Sequence, residues 1–140
     1  VQKNIYKIVH FNIIGDELGS LIALENMHQV PFEVKRVYYI FDTKSRVRRG
    51  MHAHRDLEQL CFCVKGSCTF VLDDGTKKDI IKLDSPNTGL YIKNLIWREM
   101  FDFSKDCVLV VLANKYYDPS DYIRDYKEFK RLADSVKQAG

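Results

Sequence analysis

His52-Ala53-His54 is the stretch whose residue types and spacing could do chemistry. In an extended segment two imidazoles two apart project to the same face and can act on one small molecule. An unperturbed imidazole titrates near pH ~6.5, so the pair suits proton transfer as well as metal ligation. Glu58-Gln59, Gly66 and Trp97-Arg98 follow along the chain. An amide and a guanidinium are poor company for a metal, because Arg cannot shed its proton to become a ligand. Imidazoles beside a fixed positive charge suit removal of a proton from carbon, with the cation stabilising the oxyanion that develops. The competing reading is a metal held by the pair with Glu58. Against it, Glu58 and Gln59 face opposite sides of a strand, and only one can share a given interior.

Short strands must position these groups. Ile5 to Phe11 alternates as a strand, Gly15 to Ser20 reads as a turn, and Leu21 to Leu24 as another short strand. Val34 to Phe41 is rich in β-branched and aromatic residues and is broken by Asp42-Thr43-Lys44-Ser45. Leu60 to Val64 is apolar throughout, so both its faces should be covered, by a second sheet or a subunit. Ser67 to Leu72 and Lys78 to Leu83 flank Asp73-Asp74-Gly75 as a hairpin. Leu90 to Ile92, Trp97 to Phe101 and Cys107 to Ala113 complete an all-β set, the pattern of a sandwich or barrel. At Asp118-Pro119-Ser120-Asp121 the period changes to helical, predicting a C-terminal α-helix over about 119–138 that braces the barrel exterior. The expectation is one domain over 1–140, with the barrel over about 1–115.

The 46% hydrophobic and 29% charged residues are ordinary for a globular domain with a real core. A net charge of +3, with only Lys44 to Arg49 clustered, argues against a nucleic-acid partner. It suits instead an anionic small molecule near one cleft. No apolar run approaches a membrane span, and Val1 is not followed by a basic-then-apolar leader; a cytoplasmic location is expected. Cys61, Cys63, Cys68 and Cys107 read as reduced core residues, since Cys61-Phe62-Cys63 is too close for a relaxed disulfide. His10 and His28 fall outside every motif and read as surface residues.

The order His-x-His, Gln59, Gly66 resembles the cupin metal motif, with Gln59 where that pattern has Glu. Arg98, in Ile92 to Met100, stands where the pattern supplies a third His. The longer series is more specific. Lys35 to Asp42, Arg49 to His54, Leu57-Glu58-Gln59, Gly66-Ser67-Cys68 and Leu72 to Gly75 resemble the cupin-type sugar 3,4-ketoisomerases acting on dTDP-4-keto-6-deoxyglucose. So do Leu83 to Pro86, Gly89-Leu90-Tyr91, Trp97 to Met100, Asp102-Phe103-Ser104 and Tyr116 to Arg124, which extends the likeness over essentially the whole chain.

The resemblance implies an RmlC-like cupin jelly-roll barrel, a homodimer, no metal or other cofactor, and a dTDP-linked 4-keto-6-deoxy sugar in the barrel mouth. It implies a His base, with His54 favoured over His52, and Tyr39 as the pocket hydroxyl; from their chemistry, Tyr39 is expected to relay a proton between the C3 and C4 oxygens and the permanently charged Arg98 to meet the oxyanion. Arg36, Arg49, Gln59 and Trp97 are the expected substrate contacts, the two arginines at the diphosphate through bidentate geometry. Positions 18 and 98, here Leu and Arg, bear on product stereochemistry. The expected place in metabolism is the making of 3-amino-3,6-dideoxy sugars for surface glycans. The alternatives are a nucleotide-sugar 3,5-epimerase, a metal-dependent cupin oxygenase, and a non-catalytic sugar-binding cupin.

Overall fold

Strict alternation over Arg36 to Phe41 puts Arg36, Tyr38 and Ile40 on one face and Val37, Tyr39 and Phe41 on the other. In the computed structural model, which describes residues 6–139, this strand closes one of two five-stranded antiparallel sheets. That sheet runs β1 (Tyr6–His10), β9 (Thr88–Ile92), β6 (Gln59–Lys65), β11 (Val108–Ala113), β4 (Arg36–Phe41). The facing sheet runs β12 (Tyr122–Ile123), β5 (Arg49–His54), β10 (Trp97–Phe101), β7 (Cys68–Asp73), β8 (Lys78–Leu83). The two enclose a core that includes Cys61, Leu90, Ile92, Leu109 and Val111 from one side and Phe70, Leu72 and Met100 from the other. This is the cupin jelly roll.

The strands expected over Lys78 to Leu83 and Trp97 to Phe101 are found at those bounds, whereas the N-terminal region differs. β2 (Ile14–Asp16) and β3 (Gly19–Leu21) pair as a small hairpin, so the expected turn carries strand at both ends and Ile22 to Leu24 is not strand. Ile5, expected to begin the first strand, lies outside the described residues. The outer face of β6 does not wait for a second subunit. Leu60 and Phe62 pack there against Phe11, Val30, Phe32 and Leu112 of the same chain.

The helix also starts later than expected. Asp118 caps a 3₁₀ turn over Pro119–Asp121, accepting from the Ser120 N–H, and β12 follows before α1 (Tyr126–Ala139). The Asp-Pro signal was a helix start, but of a single turn. α1 buries Phe129 and Ala133 against Ala53, Trp97 and Ile123. Among the described residues no helix is long and apolar enough to cross a membrane.

Candidate active site

β5 carries the histidine pair, and its neighbour β10 carries Arg98 directly opposite His52. Directly opposed residues share a face, so His52, His54 and Arg98 all point into the barrel. Between Arg98 and Glu99 the register slips by one residue on β5, and both Gly50 (φ +82) and Met51 (φ +54) are left-handed there. A Cβ at Gly50 would stand 2.9 Å from the Arg98 carbonyl oxygen, so glycine is what lets the two strands approach. β12 lies against the other edge of β5, pairing Tyr122 with His54, and brings residues 118–124 to the site.

Arg98 is 2% exposed. Its Nη2 donates to the Ile96 carbonyl at 2.9 Å and its Nη1 to Gln59 Oε1; Gln59 Nε2 donates in turn to Tyr38 Oη at 2.9 Å. His54 Nδ1 lies 3.0 Å from Asp121 Oδ2, and Asp121 Oδ1 accepts from the Asp56 backbone. The two imidazoles meet edge to face with centroids 4.9 Å apart, and Tyr122 lies 4.5 Å from His54 and 5.0 Å from His52. A cleft of about 230 Å³ beside His54 is lined by Arg36, Lys115, Tyr116, Asp121 and Tyr122, among others.

Burial first and then the Arg98 cation, against a hydrogen bond at Gly50, bring the His52 pKa down to about 4. His54 is lowered too, by burial first, then by Arg98, His52, Arg36 and Arg124. Asp121 at 3.0 Å works the other way, since a carboxylate favours the imidazolium, but one carboxylate does not offset burial and three cations. Both rings are therefore neutral at pH 7, each with an unprotonated ring nitrogen. Burial raises the Tyr38 phenol to about 12, so it keeps its proton.

Four buried side-chain nitrogens among the described residues lack a hydrogen-bond partner: Arg36 Nε, His52 Nδ1, His54 Nε2 and Arg98 Nε. Unpaired buried polar atoms are costly, and here all belong to one site. A polar ligand in the barrel mouth would satisfy them.

The expected site residues divide. His52, His54, Arg98 and Arg36 come together. Tyr39 does not: it is 62% exposed on the outer face of β4, with its ring 5.9 Å from Phe41, and the inward hydroxyl is that of Tyr38. The same parity that turns Arg36 inward turns Tyr39 out. Trp97, adjacent to Arg98, faces the opposite way and packs under α1 against Phe129 and Tyr126 instead of meeting a ligand. Gln59 is at the site, yet both ends of its amide are engaged, so it holds Arg98 and Tyr38 and is not free for substrate. Arg49 is exposed and does not line the cleft beside His54, where Arg36, Arg55 and Lys115 supply the positive charge.

Asp121 and Tyr122 join the site without any motif of their own to mark them, although Asp121 to Arg124 carries part of the resemblance. Tyr38 could have been found by parity with Arg36.

The exchange of Tyr38 for Tyr39 has a direct test. Tyr38→Phe should cut kcat by about tenfold or more, because the proton it holds is lost and Gln59 Nε2 is left without its acceptor. Tyr39→Phe should leave kcat and KM unchanged; steady-state kinetics on the two variants decide between them.

Fold and site together define a class, the cupin barrel equipped for acid–base chemistry by its own side chains. The family model described as FdtA: WxcM-like, C-terminal, matches residues 4–134, and the chain belongs to that family. It is 54% identical over 125 residues to the TDP-4-oxo-6-deoxy-alpha-D-glucose-3,4-oxoisomerase of Aneurinibacillus thermoaerophilus, covering 89% of this chain and 90% of the relative. The crystal structure of a 3,4-ketoisomerase from Helicobacter canadensis superposes with a TM-score of 0.89 at 50% identity, over 92% of this chain and 97% of that one. A histidine-to-asparagine variant of the 3,4-ketoisomerase QdtA from Thermoanaerobacterium thermosaccharolyticum, in complex with TDP-4-keto-6-deoxyglucose, superposes with a TM-score of 0.93 at 40% identity, over 96% and 97% of the two chains.

Proposed function

We propose that this protein is a sugar 3,4-ketoisomerase that converts dTDP-4-keto-6-deoxyglucose to the 3-keto isomer. The observation that carries the reading is the cluster of unpaired buried nitrogens on two neutral histidines and two arginines, in a barrel of this family. His54 takes the proton from C3: Asp121 engages Nδ1, which leaves the Nε2 lone pair free, and the carboxylate steadies the imidazolium that forms. Arg98 faces the enediolate oxygen as a fixed cation. Tyr38 passes a proton between the C3 and C4 oxygens, and the imidazolium returns a proton at C4. Arg36 and Lys115 lie at the cleft, suited to the diphosphate.

A time course in deuterated water, followed by NMR, tests the reaction. Label at C4 of a 3-keto product supports it, whereas exchange at C3 and C5 with the ketone still at C4 supports a 3,5-epimerase.

A homodimer is part of the same proposal. Ile13, Ile14, Leu18 and Leu21 on and beside the β2–β3 hairpin are more than half exposed, apolar surface that one chain leaves uncovered. The location is the cytoplasm: a nucleotide-linked sugar and four free buried cysteines both fit a reducing compartment. The products feed 3-amino-3,6-dideoxy sugars of surface glycans.

The lowered histidine pKa values set the pH dependence. A base lowered from ~6.5 stays unprotonated well into acid, so kcat/KM should be flat between pH ~5 and ~8 instead of falling below ~6.5. Stability has its own sign. A histidine with a depressed folded pKa contributes fully above the unfolded value of ~6.5 and loses its contribution as pH falls. The thermal midpoint should therefore drop between pH ~6.5 and ~4, the latter being the folded value of His52.

A further inference from the structure

Three of the four cysteines meet at the end of the barrel away from the histidines. Cys63 Sγ lies 3.6 Å from Cys68 Sγ and 3.8 Å from Cys107 Sγ, and the three sulfurs are all within 4.8 Å of one another. Leu72 of β7 is opposite Arg98, and Cys68 stands four residues back on that strand, ~13 Å away at strand rise. The reaction described above does not use the cluster.

We propose that Cys63, Cys68 and Cys107 form a binding site for a thiophilic divalent cation of the zinc type, with the fourth position left to water. Bonds of ~2.3 Å at tetrahedral angles place ligand sulfurs ~3.8 Å apart, so the two close sulfur separations already fit and little backbone movement is needed. An all-sulfur set selects soft ions over magnesium or calcium, which take oxygen.

The surroundings hold the thiols in register. The β6–β7 turn depends on Gly66 (φ +68), where a Cβ would stand 2.7 Å from the Cys107 Cα, so the turn presses directly onto the third ligand. Phe70, Leu83, Phe103 and Leu109 belong to the same buried cluster as the three cysteines. Cys107 also lines a shallow groove with Asp42, Lys105 and Asp106, whose two carboxylates outnumber the one ammonium.

The test is a cobalt(II) titration of the full-length, reduced, chelator-treated protein, followed by zinc(II). One cobalt per chain should bring up sulfur charge-transfer and tetrahedral d–d absorption, and zinc should bleach both. Cys107→Ala should weaken cobalt binding by at least about tenfold and lose the sulfur band, while Cys61→Ala should keep it. Should Cys107→Ala fail to fold, Cys68→Ala carries the same expectation. No sulfur band in the wild-type protein, an unchanged band in a folded Cys107→Ala, or a Cys63–Cys68 disulfide found by thiol counting would each overturn the site.

Discussion

His54→Asn is expected to lower kcat by about three orders of magnitude while TDP binding, measured by calorimetry, changes less than about twofold. The side chain is 1% exposed and its Nε2 has no partner within the chain, so no structural hydrogen bond is lost at that atom. Asn preserves much of the polarity but has no basic lone pair of comparable strength. Asp121→Asn separates the base from its orienting group. The amide can still accept from the Asp56 backbone, yet it no longer stabilises the imidazolium, so kcat should fall by about tenfold or more with KM held. Activity retained in His54→Asn and lost in His52→Asn would transfer the role of base to His52, whose Nδ1 is equally unpartnered.

Arg98→His should lower kcat by ~10²-fold or change the configuration of the product at C4, with a smaller effect on KM. The guanidinium is buried, and the shorter ring cannot reach Gln59 Oε1 and the Ile96 carbonyl together. Removing the cation has a second effect that can be measured separately. Arg98 lowers both histidines, so Arg98→Met should move their titrations upward, toward ~6.5, in NMR spectra of the imidazoles. The acid limb of the rate profile should move to higher pH with them. An unchanged product profile in Arg98→His, together with unmoved histidine titrations in Arg98→Met, would leave Arg98 with a packing role alone.

The parts of the site that lie on one strand were readable from order and parity. His52 and His54 share a face because strands repeat every two residues, and the bounds of β8 and β10 follow from alternation beside clear turn residues. The same rule places Arg36 with Tyr38 and turns Tyr39 outward. What could not be read is contact between distant segments. Nothing near Asp121 announces that it meets His54, sixty-seven residues away in sequence; a two-residue strand makes the meeting possible. Trp97 is similar, since its own strand shows only that it faces away from Arg98, and α1 supplies what covers it. The slip at Gly50 is a third case, because parity fails on the far side of a bulge.

Gln59 sets the direction of a hydrogen-bond chain. A guanidinium can only give hydrogen bonds, so the amide must turn its oxygen to Arg98 and its nitrogen to Tyr38. The phenol is thereby on the receiving end, and its own hydrogen is left to be given away. A carboxylate at this place would demand that hydrogen for itself and cancel the guanidinium charge as well. Gln in this place thus keeps the Arg98 charge uncompensated and turns the Tyr38 hydroxyl hydrogen away from itself.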